Sequence, residues 1–235
     1  MNQLSVASNS KSVIKNSLWS FGSYWGDISP IPTGSVLLGR CEEDGKPVYW
    51  DIANRMGYGK TGPLEVRGDL TWCRYIIFTI VSSLVMNNGD GRKVVVISRN
   101  PEEWNSFYQK FGYDSLLTWM KVIPSYKEEA ETVLSYVSEY AVTHNPWESE
   151  KIVFVVDDYS GLFMLNTEFI LDFKRLLQHT SESVAVITTV EPNMSVKIPL
   201  SSKTIISQNS NSSFFFEDAN HNYNKFTFSP LDYSV

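Results

Sequence analysis

The sequence predicts an α/β protein whose mostly parallel central sheet is covered by helices on both faces. Three runs of mainly β-branched apolar residues carry this prediction: 92–98 (RKVVVIS), 151–158 (KIVFVVDD) and 183–189 (SVAVITT). Strands that are apolar at nearly every position have both faces buried, which is typical of parallel sheets. Segments with helical periodicity lie between these runs, and this alternation favours parallel crossover connections.

The N-terminal part of the chain is predicted to be less regular. Residues 1–17 are rich in Ser and Asn and are expected to form a flexible tail or linker. Residues 18–34 are aromatic and interrupted by Gly and Pro, which indicates an irregular arm on the domain surface. Residues 35–52 are expected to form a β-hairpin around the turn residues Asp44-Gly45. We therefore expect one domain over residues 18–235, after the tail.

The remaining elements follow in order along the chain. Helices are predicted where apolar residues recur with helical spacing or where Pro and acids mark a helix start: 70–86, 100–111, 126–143 and 166–179. Short strands are predicted at 63–66, 120–123, 203–208, 212–218 and 224–230. The first of these helices is apolar nearly all round, so we expect it to be buried between layers.

Charge and composition narrow the possible functions. The chain has 235 residues, a hydrophobic content of 43%, a net charge of −6 and a pI of about 5.1. This balance lacks the basic footprint of a nucleic-acid-binding protein. Cys41 and Cys73 have no CxxC spacing and are expected to be free thiols. His144, His179 and His221 lack metal-ligand spacing, so no metal is expected.

The sequence predicts a chain that is soluble when isolated. Its first residues lack the apolar core of a signal peptide. The most apolar run, 75–86, is about half as long as a helix that crosses a bilayer. Such a chain is also compatible with a larger, membrane-anchored parent protein.

Residues 62–84 have the outline of a phosphate-binding loop, with a short strand, a glycine and a long apolar helix. The functional loop is Gly-x-x-x-x-Gly-Lys-Ser/Thr, and its backbone N–H groups surround the phosphates. On this chain Gly68 takes the first glycine position and Cys73 the second. Arg74 takes the lysine position and Tyr75 the Ser/Thr position.

Four stretches stand in an informative order: LLGRCEEDGKPVYWDI, LEVRGDLTWCRY, KIVFVVDDYSGLF and VAVITTVEPNMSVKIPLSSKTIISQNSN. They resemble the FtsK/SpoIIIE family of P-loop motor domains, and most of all the tandem ATPase domains of the EccC/EssC coupling proteins of type VII secretion. The first resembles the hairpin ahead of the P-loop, and the second and third occupy the Walker A and Walker B positions. The fourth resembles the family's strand that ends in Ala-Thr-Gln-Arg-Pro, together with the strand that follows it in the chain. The resemblance implies a P-loop NTPase-like fold of the RecA/FtsK type.

Residues at the Walker A position depart from the family pattern. Thr71 stands where the family has a further glycine, and Trp72 beside it is bulky. A left-handed backbone costs a residue with a Cβ roughly 1–2 kcal/mol, so Thr71 and Cys73 suit such a loop poorly. Arg74 offers a planar fork in place of a compact ammonium. The hydroxyl of Tyr75 lies too far from the backbone to replace a Ser/Thr ligand of Mg²⁺.

Other family positions differ as well. The resemblance places the Walker B aspartate on Asp157 and the general-base glutamate on Asp158. Three interpretations of this aspartate pair are open: it binds a metal weakly, it is solvated at the end of the strand, or it caps the next turn. The sensor-like Gln-Arg falls on 190–191, which are Val and Glu, and the Gly-Arg step falls on 178–179, which are Gln and His.

Three interpretations of residues 68–75 follow: a lost nucleotide site in a retained fold, a working site with unusual residues, and an unrelated strand-to-helix turn. The combined departures favour the lost site. The resemblance then implies a catalytically inactive ATPase-like domain of a type VII secretion coupling protein, to which ATP and Mg²⁺ are not expected to bind. Its implied role is substrate or partner recognition and regulation of the translocase, on the cytoplasmic side of a membrane-associated complex.

The expected partners are secreted substrate proteins and neighbouring ATPase domains of the same translocase. Trp19, Trp25 and Trp72 are candidate partner-binding residues, because aromatic anchors tend to dominate interface energies. The alternative function is an active or inactive FtsK-like DNA translocase or conjugation module from a mobile element. The acidic pI and the altered loop speak against an active translocase.

Overall fold

The computed structural model describes residues 35–52, 62–87, 92–111, 120–144, 150–157, 159, 167–181, 183–191, 204–208, 213–217 and 223–227. The predicted tail and arm lie outside these residues, and so do Trp19, Trp25 and Asp158. The domain boundary at residue 18 therefore stays a prediction.

The described strands form one mixed sheet. They are β1 (Ser35–Cys41), β2 (Pro47–Asp51), β3 (Leu64–Arg67), β4 (Lys93–Ser98), β5 (Met120–Pro124), β6 (Ile152–Val156), β7 (Val184–Val190), β8 (Thr204–Gln208), β9 (Ser213–Glu217) and β10 (Tyr223–Thr227). Their order is β2-β1-β10-β9-β8-β3-β7-β6-β4-β5. From β8 to β5 in this spatial order, the six strands β8, β3, β7, β6, β4 and β5 are parallel. The strands β9, β10, β1 and β2 extend the sheet beyond β8 in antiparallel pairs. The predicted mostly parallel sheet is confirmed.

Helices cover both faces of the sheet, as predicted. They are α1 (Leu70–Asn87), α2 (Pro101–Phe111), α3 (Glu128–Thr143) and α4 (Thr167–Gln178). Phe78 of α1 and Trp104 of α2 belong to one apolar core cluster. Leu134 of α3 and Phe173 of α4 belong to a second. The two clusters lie on opposite faces, because successive residues of the central strands alternate between them.

The strands in the middle of the sheet are buried on both faces. Every residue of β6 and of β7 is buried. Burial of each Val, Ile or Phe side chain stabilises the fold by roughly 1.5–3 kcal/mol relative to its exposure to water. These strands are therefore a rigid base for the side chains that follow them.

Helix α1 is buried around its whole circumference, as its composition predicts. Residues 73–81 are each at most 5% exposed. The polar Thr79 in this stretch is satisfied inside the helix, because its hydroxyl donates to the carbonyl of Tyr75 at 3.0 Å. A helix enclosed in this way cannot shift without repacking the core on one face of the sheet.

The predicted N-terminal hairpin is formed by β1 and β2. Gly45 has φ 69°, a left-handed conformation that favours glycine. The side chain of Asp44 closes the turn by accepting a hydrogen bond from the N–H of Lys46 at 3.0 Å. The hairpin joins the sheet through β1, which pairs with β10 on the side away from the central parallel strands.

Strand order fixes where a site can form. From β3 the chain passes over two strand positions to β4 and later returns through β6 to β7, which lies next to β3. In open α/β sheets, ligand sites lie beyond the carboxyl ends of strands where the winding direction changes. Gly68 directly follows β3 and Asp157 directly follows β6, so both lie at this edge. Among the described residues, no helix is long and apolar enough to span a membrane.

Candidate functional site

Helix α1 begins only two residues after β3 ends. The connection consists of Gly68 and Asp69, between Arg67 at the end of the strand and Leu70 at the start of the helix. A phosphate-binding loop has four residues between its two glycines alone. Here residues 70–73 form the first turn of α1 and do not form a loop.

The strain predicted for Thr71 and Cys73 does not arise. Both residues lie in α1, where a residue with a Cβ is accommodated without penalty. Trp72, expected in the same loop, is also helical. At the positions that the motif assigns to the phosphate cradle, the chain has one additional helical turn.

Asp69 caps the N-terminus of α1. Its Oδ1 accepts hydrogen bonds from the N–H of Thr71 at 3.0 Å and of Trp72 at 3.4 Å. Its carbonyl accepts a bond from the N–H of Cys73 at 2.8 Å. The first N–H groups of a helix lack partners within the helix, and for this reason helix N-termini bind anions. In this chain its own carboxylate already occupies that position.

The two residues before the helix also have protein partners. The N–H of Gly68 donates to the carbonyl of Val190 at 3.2 Å, and the N–H of Asp69 donates to Gln208 Oε1 at 3.3 Å. A Cβ at position 68 would lie 2.8 Å from Gln208 Oε1 and 3.0 Å from Gln208 Cβ. The Oε1 end of Gln208 can rotate away, but its Cβ has less freedom to move, so the close approach of β8 favours glycine at position 68.

Arg74 and Asp157 form a buried ion pair that joins α1 to the end of β6. Arg74 Nε donates to Asp157 Oδ2 at 2.8 Å, and the two side chains are 5% and 0% exposed. The sequence alignment places these residues at the lysine of Walker A and the aspartate of Walker B. The structure thus brings two predicted site residues together. The interpretation of Asp157 as a solvated acid at the strand end is wrong.

The carboxylate of Asp157 accepts three further hydrogen bonds. Ser98 Oγ and Trp104 Nε1 donate to Oδ2 at 2.8 and 2.9 Å. Thr189 Oγ1 donates to Oδ1 at 3.1 Å. These donors come from the end of β4, from α2 and from β7. Three of the four donors converge on Oδ2, which therefore has its full complement, whereas Oδ1 accepts only the described bond from Thr189.

The guanidinium of Arg74 also contacts a second acid. Its Nη1 donates to Oε2 of Glu103 on α2, and the side chain of Glu103 is about half exposed, at 51%. The planar fork of arginine suits this bridge, whereas the compact ammonium of lysine does not reach two carboxylates in fixed directions. We call Asp157, Arg74 and their partners Ser98, Trp104, Thr189 and Glu103 the Asp157 network.

The Asp157 network leaves little capacity for a metal or a phosphate. Mg²⁺ requires oxygen ligands in a near-octahedral shell, but Oδ2 of Asp157 already accepts hydrogen bonds from three protein donors. The charge of Arg74 is directed at two carboxylates. In this arrangement, Arg74 and Oδ2 of Asp157 would have to give up protein partners to hold a Mg²⁺–nucleotide complex.

Other residues of the predicted pocket line the core. Tyr75 is 2% exposed and belongs to the cluster beneath α1, and the partly buried Trp72 makes an edge-to-face contact with it at 6.0 Å between ring centroids. Cys73 is 1% exposed, and its thiol lies 3.6 Å from the carbonyl of Val66. Burial, with a smaller effect from the charge of Asp157, raises the pKa of Cys73 to about 12. The thiol is therefore protonated and unreactive near neutral pH.

A separate polar group lies on β3. Glu65 is 2% exposed and pairs with Arg67. Its strand neighbours Leu64 and Val66 face the cluster beneath α1, so Glu65 faces the opposite side of the sheet. Burial raises the pKa of Tyr159, and the nearby charge of Glu65 adds to this effect.

Sequence reasoning missed four members of the Asp157 network. Ser98 and Thr189 carry a usable signal, because they lie near the ends of β4 and β7, the two parallel strands that flank β6, at the edge where Asp157 follows β6. Trp104 and Glu103 carry no such signal. They lie in the first half of an ordinary amphipathic helix, and only the tertiary packing brings them to Asp157.

The remaining predicted positions do not join the Asp157 network. His179 follows α4, and its Nδ1 lies 2.9 Å from the carbonyl of Arg175, as expected for a histidine at a helix end. Val190 is the last residue of β7 and is buried, and Glu191 after it is exposed. Cys41 and Cys73 are both free, as predicted. In the part of the chain that is described, no three His, Cys, Asp or Glu side chains are grouped to hold a metal ion.

The strand order and the two helix layers form a mostly parallel α/β sheet of the kind expected for a P-loop NTPase-like fold. No protein-family model and no curated protein matches this sequence. Comparison of structures, in contrast, finds similar proteins.

Several solved structures share the fold with this chain. The cytoplasmic domain of the type VII secretion ATPase EccC from Thermomonospora curvata aligns with a TM-score of 0.62 and 11% identity, over 85% of this chain and 26% of that one. ATPases 2 and 3 of the same EccC, in complex with a signal sequence peptide, align with a TM-score of 0.59 and 11% identity, over 84% and 41%. EssC ATPases 2 and 3 from Geobacillus thermodenitrificans align with a TM-score of 0.58 and 13% identity, over 88% and 44%. The chain therefore has the fold of an EccC/EssC ATPase domain and spans less than half of each of these structures.

Proposed function

We propose that this chain is a catalytically inactive ATPase-like domain of a type VII secretion coupling protein, with a role in recognition and regulation. The buried pair between Arg74 and Asp157 carries the proposal. It joins the two residues that stand where an active domain needs a phosphate-binding lysine and a Mg²⁺-binding aspartate. The fold shared with EccC and EssC supports the class of protein.

Three properties of the site argue against nucleotide binding. The N–H groups at the start of α1 are bonded to Asp69. Oδ2 of Asp157 is occupied by three protein donors, and Arg74 is paired twice. Removal of one partner from a buried ion pair costs about 3–5 kcal/mol. A nucleotide would have to compensate for that loss before any net binding appeared.

The proposed role is to bind other proteins. One of the similar structures contains ATPases 2 and 3 of EccC with a signal sequence peptide. By analogy, we propose that this domain contacts secreted substrate proteins and neighbouring ATPase domains. The domain would act on the cytoplasmic side of a membrane-associated complex, to which the parent protein would attach it.

Nucleotide binding is the first test. Millimolar ATP with Mg²⁺ is expected to leave the melting temperature unchanged and to give no heat in calorimetry. A ligand at one hundred times its Kd would stabilise the protein by about 2.7 kcal/mol. For a chain of this size, that corresponds to a rise of roughly 5–10 °C. A rise of this size together with a micromolar Kd would show that the domain binds nucleotide.

Phosphate release separates binding from turnover. The wild type is expected to release none above background, and the Asp157→Ala variant is expected to behave identically. A catalytically competent EssC ATPase domain, assayed in parallel, serves as the positive control. Release by the wild type that is abolished in Asp157→Ala would show that the domain is an enzyme.

Recognition is tested with candidate secreted proteins and ATPase domains from the same genetic locus. The wild type is expected to bind at least one of them with micromolar affinity, because an isolated domain lacks the avidity of an assembly. Trp25→Ala and Trp72→Ala, each shown to be folded, test the predicted aromatic anchors. If the wild type binds no candidate, a recognition role is excluded. If it binds and both variants bind equally well, the surface lies elsewhere.

The translocase alternative has its own test. A protein with a net charge of −6 is expected to show no DNA binding that survives about 200 mM salt, because nonspecific binding is steeply salt-dependent. Fluorescence anisotropy with labelled duplex measures this directly. Binding that persists at that salt concentration would favour the DNA translocase.

A further inference from the structure

A groove of about 460 Å³ lies between α3 and α4, on the sheet face opposite to α1. Its lining is Glu131, Thr132, Ser135, Tyr136, Glu139, Phe169 and Asp172, and we call it the α3–α4 groove. This volume is within the range of about 300–1,000 Å³ that is usual for binding sites.

The α3–α4 groove is acidic. Three of its lining residues are carboxylates, Glu131, Glu139 and Asp172, and none is basic. Helix α3 contains four glutamates and no Lys or Arg. The three in its first turn are favoured by the helix dipole. Glu139 lies in the C-terminal half of the helix, where the dipole does not favour an acid.

Two of these carboxylates have no partner in the described part of the chain. Neither Glu139 nor Asp172 forms a side-chain hydrogen bond or an ion pair there. Some exposed acids elsewhere are paired, as Glu129 is with Lys121 and Glu150 is with Lys93. No described ion pair offsets the charges of Glu139 and Asp172, although Lys174 and Arg175 lie on the same helix as Asp172.

The groove also has an aromatic wall and an apolar base. Tyr136 is 62% exposed on α3, and Phe169 on α4 is only 6% exposed. An exposed tyrosine ring offers an apolar surface and a face that attracts cations.

We propose that the α3–α4 groove binds a cationic, amphipathic helical segment of another protein. A segment with Lys or Arg at helical spacing would pair with Glu139 and Asp172. An aliphatic side chain between them would contact Tyr136 and Phe169. Binding of a helix in a groove between two helices is an established mode of peptide recognition. This inference rests on the groove alone and holds whether or not the domain binds nucleotide.

The test uses a defined probe with the whole chain. The probe is a fluorescein-labelled, end-capped peptide of about 18 residues, designed as a helix with a leucine stripe flanked by lysines. The comparison peptide has glutamate in place of every lysine. Anisotropy titrations are expected to show micromolar binding of the lysine peptide, weaker binding at higher salt, and no binding of the glutamate peptide.

Matched variants locate the site. Glu139→Gln/Asp172→Asn is expected to weaken binding of the lysine peptide about fivefold, as expected for two exposed ion pairs. Glu43→Gln/Glu102→Gln makes the same change in net charge on exposed residues outside the groove and is expected to leave binding unchanged. Tyr136→Ala is expected to weaken binding, whereas Tyr126→Ala, at a 70% exposed residue outside the groove lining, is not.

Four outcomes would overturn the proposal. The first is no binding of the lysine peptide up to about 1 mM. The second is equal weakening by the two charge variants, which would mean that the overall negative charge attracts the peptide. The third is equal binding of the glutamate peptide. The fourth is equal affinity for spermine and the lysine peptide, which would show that the groove binds any polycation without recognising a helix. Circular dichroism confirms that each variant is folded.

Discussion

The Asp157 network and the α3–α4 groove both contain acidic side chains, but in opposite environments. Asp157 is fully buried and accepts hydrogen bonds from Arg74 and three neutral donors. Glu139 and Asp172 line an open groove and have no partner in the described residues. One region neutralises its acid within the fold, and the other presents its acids to solvent.

This difference separates stability from recognition. A buried acid with a full set of donors can be changed only at a large free-energy cost, because its partners are left without compensation. An exposed, unpaired acid contributes little to folding and is available to a ligand. The edge of the sheet where nucleotides usually bind is therefore the stabilising region here, and the helical face is the accessible one.

The largest expected effect is at Arg74. Arg74→Met should lower the free energy of unfolding by about 3–5 kcal/mol, because it leaves the Asp157 charge buried without its cation. Urea unfolding followed by circular dichroism measures the change. The double variant Arg74→Met/Asp157→Asn is the control and should recover part of the loss, because it removes both charges and keeps an acceptor oxygen for the neutral donors. A loss below about 1 kcal/mol for Arg74→Met would mean that the pair is not formed as described.

A smaller effect is expected at Trp104. Trp104→Phe keeps the aromatic ring in the core but removes the indole donor to Asp157. A hydrogen bond to a charged group contributes about 1.5–3 kcal/mol, so stability should fall by that amount. Trp72→Phe is the matched control, because Trp72 is only partly buried and makes no comparable bond. Equal losses in the two variants would argue that ring packing, and not the bond to Asp157, sets the stability.

The helix cap comes next. Asp69→Ala should destabilise the domain by about 1 kcal/mol, since it removes the acceptor for two N–H groups of α1. Asp69→Asn retains a capping oxygen and should restore most of this loss. If Asp69→Ala also enabled the domain to bind phosphate or ATP in calorimetry, the cap would be the element that excludes anions. If Asn failed to rescue stability, capping would not be the role of this residue.

The smallest expected effect is in the groove. Glu139→Gln should change the free energy of unfolding by less than about 0.5 kcal/mol, as is usual for exposed residues without partners. The measurement compares the thermal unfolding of Glu139→Gln with that of Asp157→Asn. The same change from acid to amide at the buried Asp157 should be strongly destabilising. A large loss for Glu139→Gln would show that the groove has a structural role.

Much of the architecture could be predicted from the sequence because local patterns determine it. The apolar runs of β6 and β7 specify strands that are buried on both faces. The turn residues Asp44 and Gly45 specify the hairpin. The stripe of Ala130, Leu134 and Val137 specifies the buried face of α3. Each of these elements follows from residues close together in the chain.

The site could be predicted only in part. The motif alignment assigned Arg74 and Asp157 to one site, and the two are in contact although 83 residues separate them in the chain. It did not predict that the two would bond to each other, because the direction of a side chain depends on packing from several elements. The helix predicted over 70–86 already included the first turn of α1, but the motif alignment treated the same residues as a loop. The template assumed a loop, although none of residues 70–73 is a Gly or Pro that would prevent a helix.

Under the proposed function, the Arg74 fork makes any gain of nucleotide binding depend on several substitutions at once. Arg74→Lys alone would weaken the bridge to Glu103 and Asp157 without creating a phosphate site. Glycines introduced at positions 71 and 73 would each cost the helix about 1 kcal/mol while Asp69 still capped it. Every single step lowers stability before any ligand compensates for it. In the proposed inactive domain, such substitutions show sign epistasis in stability: each is destabilising alone, and only their combination would form a phosphate-binding loop.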